Sequence, residues 1–346
     1  MTLKLVNEKQ QTATIKAQST SLMSLYMQFA YWLFIAMLAL VVMGLYMKYS
    51  YVGLDDPERF GIGPMVYGTA HKPFVYRVLV PGIVRVVTPL IHVHWVEAAI
   101  DNPVLGSWLS QLDVSTYPRE VFVTLIVLYA SLLGFAYVFM RLMEVLRYSR
   151  VTTVIMTVGL LLLAPQYFSY GKLYDLPTLF LFTAGLWLMA KMQWGWFLFA
   201  FILASLNKET SILITLIFIV YYWKRLDRES YLYLAIVQLI LYGLIKAVLT
   251  LVFLNNPGTI VEYHLQDHIE IISMAPFILV LSSLSVGIVA WLAAKDWGRK
   301  PAFIKSCLVM IPPLIGLYVL FGFPFEVRVF LEALPVITLL TVPPGA

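Results

Sequence analysis

Two adjacent carboxylates, Asp55 and Asp56, are the residues of this chain whose type and position best suit acid–base chemistry. They follow the first long apolar segment, 27–49, and precede Pro57. Adjacent carboxylates repel each other and need water or cations nearby to stay ionised. Such a group can serve as a general base that removes a proton from an attacking hydroxyl. The alternative interpretation is structural, because Asp favours the position before a helix and Pro suits its first turn.

Basic residues far apart in the sequence provide the complementary chemistry. Arg and Lys bind phosphate oxygens and stabilise a phosphate that leaves in a transfer reaction. The candidates for phosphate binding are Arg77, Lys172, Lys208, His264 and Arg328. The candidates for supporting roles are Lys72, Asp175, Glu209, Lys246, Glu326 and Glu332.

Several of these charges also have a structural interpretation in which they pair locally. Lys208 and Glu209 are adjacent and could close a break between helices as an ion pair. Arg328 and Glu332 stand at i and i+4, a spacing that pairs side chains on one α-helix. Lys246 and Glu332 lie deepest within apolar segments, where a structural pair and a functional role are both open. The sequence does not choose between these interpretations.

Metal binding has little support in the sequence. His264 and His268, at i and i+4, have a spacing that can hold zinc on a helix. His92 and His94 are further ligand types, but there is no HExxH motif and nothing brings the two pairs together. No Walker loop, GxGxxG or GxSxG motif occurs either, so nucleotide and α/β-hydrolase chemistry are unsupported. We therefore assign no cofactor and no metal ligands, and a divalent metal stays open without support from the sequence.

The chain that positions these residues is strongly apolar. Its 346 residues are 61% hydrophobic and 12% charged, and the mean hydropathy is +0.83. A soluble chain could not bury so much apolar surface, and runs long enough to cross a hydrocarbon core of about 30 Å recur throughout. We therefore predict an all-α polytopic membrane protein in a lipid bilayer. The formal charge of +5 lies mainly in short loops and predicts no nucleic-acid partner.

Ten apolar segments are predicted to form transmembrane helices. They are 27–49, 121–140, 151–168, 176–190, 194–206, 210–223, 231–254, 273–293, 304–323 and 327–343. Residues 1–26 are predicted to be a cytoplasmic segment without a cleaved signal peptide, and 27–346 a single transmembrane domain. The polar run 207–210 interrupts the chain at membrane depth, so it must be buried in protein or face a wet cavity.

The distribution of Lys and Arg predicts an N-terminus in the cytoplasm, because the loops on that side are then the more basic ones. The long loop 51–119 then lies on the outer side, in the periplasm or a lumen. Within it, Val78–Pro89 is too short and too charged to span and predicts an interfacial helix, with Arg77 and Arg85 on one face. A second interfacial helix is predicted through 104–112.

This layout resembles that of the GT-C superfamily of membrane glycosyltransferases. The matching features are an N-inside first span, acidic residues (Asp55 and Asp56) near the start of a long external loop with interfacial helices, and the spans up to about residue 254. Arg328, in the run Phe325-Glu326-Val327-Arg328, fits the late external basic residue that contacts donor phosphate in several such families. The chain departs from the pattern in having adjacent aspartates rather than a spaced Asp-x-Asp, which puts metal dependence in doubt.

The resemblance implies a transferase of the cell envelope that works at the extracytoplasmic face. Such enzymes occur in bacterial inner membranes and in the endoplasmic reticulum, and the short loops favour the bacterial inner membrane. It would move a sugar from a polyprenyl-phosphate-linked donor to a glycan, lipid or protein acceptor. Asp55 or Asp56 would be the base, and the Arg and Lys candidates would hold the leaving phosphate. Three alternatives stay open: a polysaccharide polymerase or ligase, a lipid or solute transporter, and a non-catalytic membrane subunit.

Overall fold

The structure is a computed structural model that describes residues 26–46, 57–103, 106, 116–167, 171–324 and 326–342. The regular structure in these residues is helical, and no strand occurs among them. An isolated backbone bridge joins Lys72 to Gly258. The predicted all-α class is therefore confirmed for this part of the chain.

The α-helices are labelled in chain order. The first five are α1 (Tyr26–Tyr46), α2 (Pro57–Phe60), α3 (Ile62–Tyr67), α4 (Leu79–Val87) and α5 (Val93–Ile100). The next six are α6 (Pro118–Val145), α7 (Arg150–Tyr167), α8 (Asp175–Ala190), α9 (Trp194–Asn207), α10 (Ile212–Tyr222) and α11 (Arg228–Val252). The last five are α12 (Leu265–Met274), α13 (Pro276–Ala294), α14 (Ala302–Cys307), α15 (Ile311–Phe321) and α16 (Leu334–Thr341). Short 3₁₀ helices include Phe74–Tyr76, Glu209–Ser211 and Val327–Ala333.

Several helices have the length and composition that a membrane span requires. In the described residues these are Tyr26–Tyr46, Pro118–Val145, Arg228–Val252 and Ala302–Phe321, which makes four. A fifth span results if α12 and Leu279–Ala294, which meet at 107°, count as one. These helices are compatible with an integral membrane protein. Each of the ten predicted segments is helical over most of its length, but the count of ten spans is not confirmed.

The centre of the molecule is α8, which packs against both α6 and α9. It is apolar on all sides, and its buried positions follow one another almost without interruption from Asp175 to Met189. A helix of this type belongs inside a bundle rather than at its surface. A Cβ atom at Gly134 of α6 would lie 2.8 Å from the ring of Phe180 on α8. The missing side chain therefore lets the two helices approach closely.

The peripheral helices expose apolar side chains. Large apolar residues at or above half exposure recur along α11 and α13, among them Leu239, Leu244, Val280 and Leu284. A soluble protein rarely leaves contiguous apolar surface of this extent in water. Against hydrocarbon chains the same surface is well solvated, so it suits a lipid-facing side of the bundle.

The interfacial segment predicted at Val78–Pro89 does form a helix, α4. Arg77, however, ends the preceding 3₁₀ helix with a non-helical backbone (φ −96°, ψ 73°). The prediction that Arg77 and Arg85 share one helix face is therefore wrong. Nε of Arg85 donates to the carbonyl of Val66 at 2.7 Å, whereas Arg77 turns into the protein. The helix predicted through 104–112 lies almost entirely outside the described residues.

Candidate functional site

A buried network of charged side chains lies where distant parts of the chain meet. These parts are the turn that ends at Arg77, the start of α8, the break between α9 and α10, the C-terminal half of α11, and the 3₁₀ helix Val327–Ala333. We call this the charge network, with members Arg77, Lys172, Tyr174, Asp175, Lys208, Glu209, Lys246, Glu326, Arg328 and Glu332.

The main chain and amide side chains hold these parts in register. Nδ2 of Asn207, the last residue of α9, donates to the carbonyl of Tyr174 at 2.9 Å and to Oγ1 of Thr178 at 2.8 Å. The amide of Val78 donates to the carbonyl of Leu206 at 2.9 Å. The helix break, the start of α8 and the end of the Phe74–Tyr76 turn are therefore joined by hydrogen bonds. Polar backbone at this depth is stable because protein groups, not lipid, surround it.

Arg328 and Tyr174 form the centre of the charge network. Nη1 of Arg328 lies 3.3 Å from each carboxylate oxygen of Asp175 and 3.4 Å from the hydroxyl of Tyr174. A second nitrogen of Arg328 pairs with Glu326. The guanidinium of Arg77 lies 4.0 Å from the centroid of the Tyr174 ring, a cation–π contact. Two arginines separated by most of the chain thus share one tyrosine.

Three further basic side chains surround this centre. Nζ of Lys208 lies 2.9 Å from a carboxylate oxygen of Glu332. Nζ of Lys246 donates to the carbonyl of Ser205 at 2.9 Å. The ammonium of Lys172 lies 3.3 Å from the centroid of the Phe60 ring in α2. The three contacts tie the start of α8 to α2, the helix break to the 3₁₀ helix Val327–Ala333, and α11 to α9.

The predicted local pairs do not form, and the backbone explains why. Lys208 is extended (φ −156°, ψ 149°), so its side chain and that of Glu209 leave the chain in opposite directions. Lys208 reaches Glu332, while Glu209 pairs with Nε of Arg77 at 3.3 Å. Arg328 and Glu332 lie in a 3₁₀ helix, where three residues complete a turn and i+4 is off the shared face.

The Lys208–Glu332 and Arg328–Asp175 pairs are buried, whereas the Arg77–Glu209 pair is only partly buried. Lys208 and Arg328 are each 8% exposed, whereas Asp175 and Glu332 are fully buried. Charges at this depth persist only when an opposite charge and hydrogen bonds replace water. Even so, some polar atoms keep no hydrogen-bond partner among the described residues: Nε of Arg328, Oε1 of Glu209 and Oε2 of Glu332. Buried polar groups are rarely left this way, so each of these three atoms can make a contact with a ligand or with water.

Two of the predicted site residues lie apart from the charge network. Nζ of Lys72 donates to the carbonyl of Leu254 at 3.2 Å in an exposed position. His264 forms a hydrogen bond through Nδ1 with Asp267 at 2.7 Å, and its ring lies 3.7 Å from that of Phe323. His264 therefore has a structural partner of its own and makes no direct contact with Arg77, Lys208 or Arg328 in the described part of the chain.

The sequence candidates omitted Tyr174 and Arg59. Tyr174 stands in the run Lys172-Leu173-Tyr174-Asp175 at the start of an apolar helix. The polar residues of this run were the signal in the sequence that could have identified Tyr174. Arg59 pairs with Glu262 and lies 5.7 Å from the Phe74 ring, which Arg77 also approaches at 5.4 Å. Arg59 thus joins the segment around residue 262 to the Phe74 ring, which Arg77 of the charge network also contacts.

The proposed bases, Asp55 and Asp56, lie outside the described residues. In the sequence they immediately precede α2, whose Phe60 carries the Lys172 contact. No group of three or more His, Cys, Asp or Glu side chains is placed to hold a metal ion in the parts of the chain that the structure describes.

Comparisons of the chain with protein-family models, with curated proteins and with solved structures found no match. The functional argument therefore rests on the chemistry of the site, because a helical architecture alone does not define an activity.

Proposed function

We propose that the protein is an integral membrane glycosyltransferase with the GT-C arrangement. It would transfer a sugar from a polyprenyl-phosphate-linked donor to an acceptor hydroxyl at the outer face of the membrane. The observation that carries the proposal is the convergence of Arg77, Lys208 and Arg328 in one buried network, although they come from three distant parts of the chain.

The charge network suits a leaving phosphate. Nucleotide-activated sugars are generally absent outside the cytoplasm, so donors there are carried on lipid phosphates. Cleavage of such a donor releases a phosphate oxyanion, which guanidinium and ammonium groups stabilise. Carboxylate partners such as Asp175 and Glu209 keep the cations ionised and oriented in a dry site until the donor binds. The unpartnered Nε of Arg328 is a hydrogen-bond donor that a phosphate oxygen can use.

The bond changes are those of a single displacement. The acceptor hydroxyl attacks the anomeric carbon while Asp55 or Asp56 takes its proton. The bond between that carbon and the phosphate oxygen breaks, and the lipid phosphate leaves toward the cations. The configuration at the anomeric carbon is inverted. Lys172 supports this assignment, since it contacts the helix that directly follows the two aspartates.

The membrane arrangement belongs to the same proposal. The shorter apolar helices Arg150–Leu163, Asp175–Ala190, Trp194–Asn207 and Glu209–Tyr222 would complete a set of about ten spans. The N-terminus would be cytoplasmic in a bacterial inner membrane, with the loop 51–119 in the periplasm. α4 would then lie at the interface beside the charge network, where a lipid-borne donor can reach it from the bilayer.

The test compares Asp55→Asn and Asp56→Asn, made singly, in a transfer assay on membranes supplied with undecaprenyl phosphate carrying radiolabelled hexoses. We expect one of the two variants to lose about 10²–10⁴-fold in rate, the usual effect of removing a general base. Asp227→Asn is the matched control, because Asp227 is an exposed cap of α11 that accepts from the Ser230 amide at 2.8 Å. Full activity in both variants would refute the base assignment. The length of the product separates a single-sugar transferase from a polymerase.

A further inference from the structure

A cavity of about 540 Å³ lies between α3 and the start of α6. Its lining consists of Gly63, Tyr67, Thr69, Thr116, Tyr117, Pro118, Arg119 and Glu120. None of these residues belongs to the charge network. The cavity is thus separate from the charge network, and residues 63–69 and 116–120 form its walls. Its volume is within the range of small-molecule sites.

Aromatic rings form one wall of this cavity. The ring centroids of Tyr67 and Tyr117 are 6.0 Å apart, and the rings are tilted by 41°. Gly63 makes this wall possible, because a Cβ atom at that position would collide with the ring of Tyr117. The ring therefore rests directly on the backbone of α3, which limits its movement.

Polar groups also line the cavity. Glu120 is only 6% exposed, and its carboxylate accepts a hydrogen bond from the hydroxyl of Tyr67 at 2.6 Å. This hydrogen bond raises the pKa of Tyr67, so the phenol stays neutral. Glu120 also lies in the first turn of α6, where the helix dipole favours a negative charge. Arg119 and the hydroxyl of Thr69 add further donors and acceptors.

We propose that this cavity binds a neutral, hydroxyl-rich ligand, namely a mono- or disaccharide unit. Aromatic faces contact the apolar C–H faces of a sugar ring, while carboxylate, guanidinium and hydroxyl groups bind its hydroxyls. The Glu120 carboxylate occupies the anion-favouring end of α6, so it disfavours a phosphate or carboxylate ligand there. Arg119 offsets this negative charge, so the lining as a whole favours neither an anionic nor a cationic ligand.

The experiment measures saccharide binding directly by saturation-transfer difference NMR on the full chain in phospholipid nanodiscs. Nanodiscs are needed because maltoside detergents carry sugar head groups of their own. The probes are maltose, cellobiose and di-N-acetylchitobiose, with sodium phosphate, followed by ³¹P NMR, as the anionic comparison. We expect at least one disaccharide to bind and its dissociation constant to rise about tenfold in Glu120→Gln, the effect of losing one hydrogen bond to a charged group.

Two more variants make the outcome decisive. Tyr117→Ala removes half of the aromatic wall and should weaken binding similarly, whereas Glu144→Gln makes the same chemical change at the other end of α6 and should leave binding unchanged. If Glu120→Gln does not fold, Tyr67→Phe is used in its place, because it removes only the hydroxyl that bonds to Glu120. The proposal is overturned if no disaccharide binds, if phosphate alone binds, or if the cavity variants bind like Glu144→Gln. No transfer reaction is involved, so this result is independent of the proposed glycosyltransferase activity.

Discussion

At the scale of single residues, the charge network shows how a buried side chain depends on its partner. Asp175 is fully buried at the start of α8. One of its oxygens accepts the backbone amide of Lys172 at 2.7 Å, and both lie 3.3 Å from Nη1 of Arg328. Arg328 is buried as well, so neither charge has water to replace a lost partner. The carboxylate thus positions the arginine that we assign to the leaving phosphate.

Asp175→Asn should lower the free energy of unfolding by about 3–5 kcal/mol, because the buried Arg328 guanidinium loses a negatively charged partner. Reversible unfolding in mixed micelles, followed by circular dichroism, measures this change. Arg141→Gln is the control, since Arg141 and Glu144 pair at 2.8 Å with side chains 44% and 50% exposed. An exposed pair contributes about 0–1 kcal/mol. Equal effects of the two substitutions would contradict a structural role for the buried pair.

At the scale of elements, close packing of α6 against α8 sets the frame on which the charge network is built. Both Tyr174 and Asp175 stand at the start of α8, and their position depends on how deeply this helix sits in the bundle. Gly134 determines that depth, because its missing side chain admits the Phe180 ring. Small residues play this part in membrane helix packing, since lipid supplies no hydrophobic force that would join helices.

Gly134→Leu should therefore cost about 1–3 kcal/mol of stability, the usual penalty for overpacking. Unfolding in mixed micelles again provides the measurement. Gly243 in α11 is the matched position, because nothing lies within 4 Å of a Cβ atom built there. We expect Gly243→Leu to change the stability far less. Similar losses at both glycines would mean that Gly134 matters for another reason.

At the scale of the whole molecule, apolar side chains lie at the surface and charged pairs lie inside, the reverse of a protein that folds in water. Apolar side chains along α11 and α13 face outward, while oppositely charged groups meet inside. A bilayer accounts for both, because it solvates apolar surface and leaves charges no partner except protein. The proposed orientation then places the two ends of α11 on opposite sides of the membrane.

Cysteine labelling of the two ends of α11 tests this orientation. The chain has a single cysteine, Cys307, which is buried and should not react with an impermeant maleimide. We expect Asn255→Cys to be labelled in intact spheroplasts and Glu229→Cys only after permeabilisation. The reverse pattern would show an inverted topology, and labelling of both without permeabilisation would exclude α11 as a span.

Local information in the sequence was sufficient to place the long apolar helices, because long apolar runs must form helices to satisfy their backbone in a bilayer. It did not establish how many of them span the membrane. It also identified most members of the charge network, since charges within apolar runs are rare and conspicuous. The pairing of those charges depended on the fold. Arg328 meets Asp175 across a separation of 153 residues, and Lys208 turns away from Glu209 because its backbone is extended.

The cavity beside Tyr117 likewise required the packing of α3 against α6, which no spacing in the sequence indicates. Periodicity and composition act over a few turns of one helix. Contacts between helices depend on their relative depth and rotation, which many small packing interactions determine together. That is why the elements were predictable from the chain, whereas the partners at the site were decided only when the helices came together.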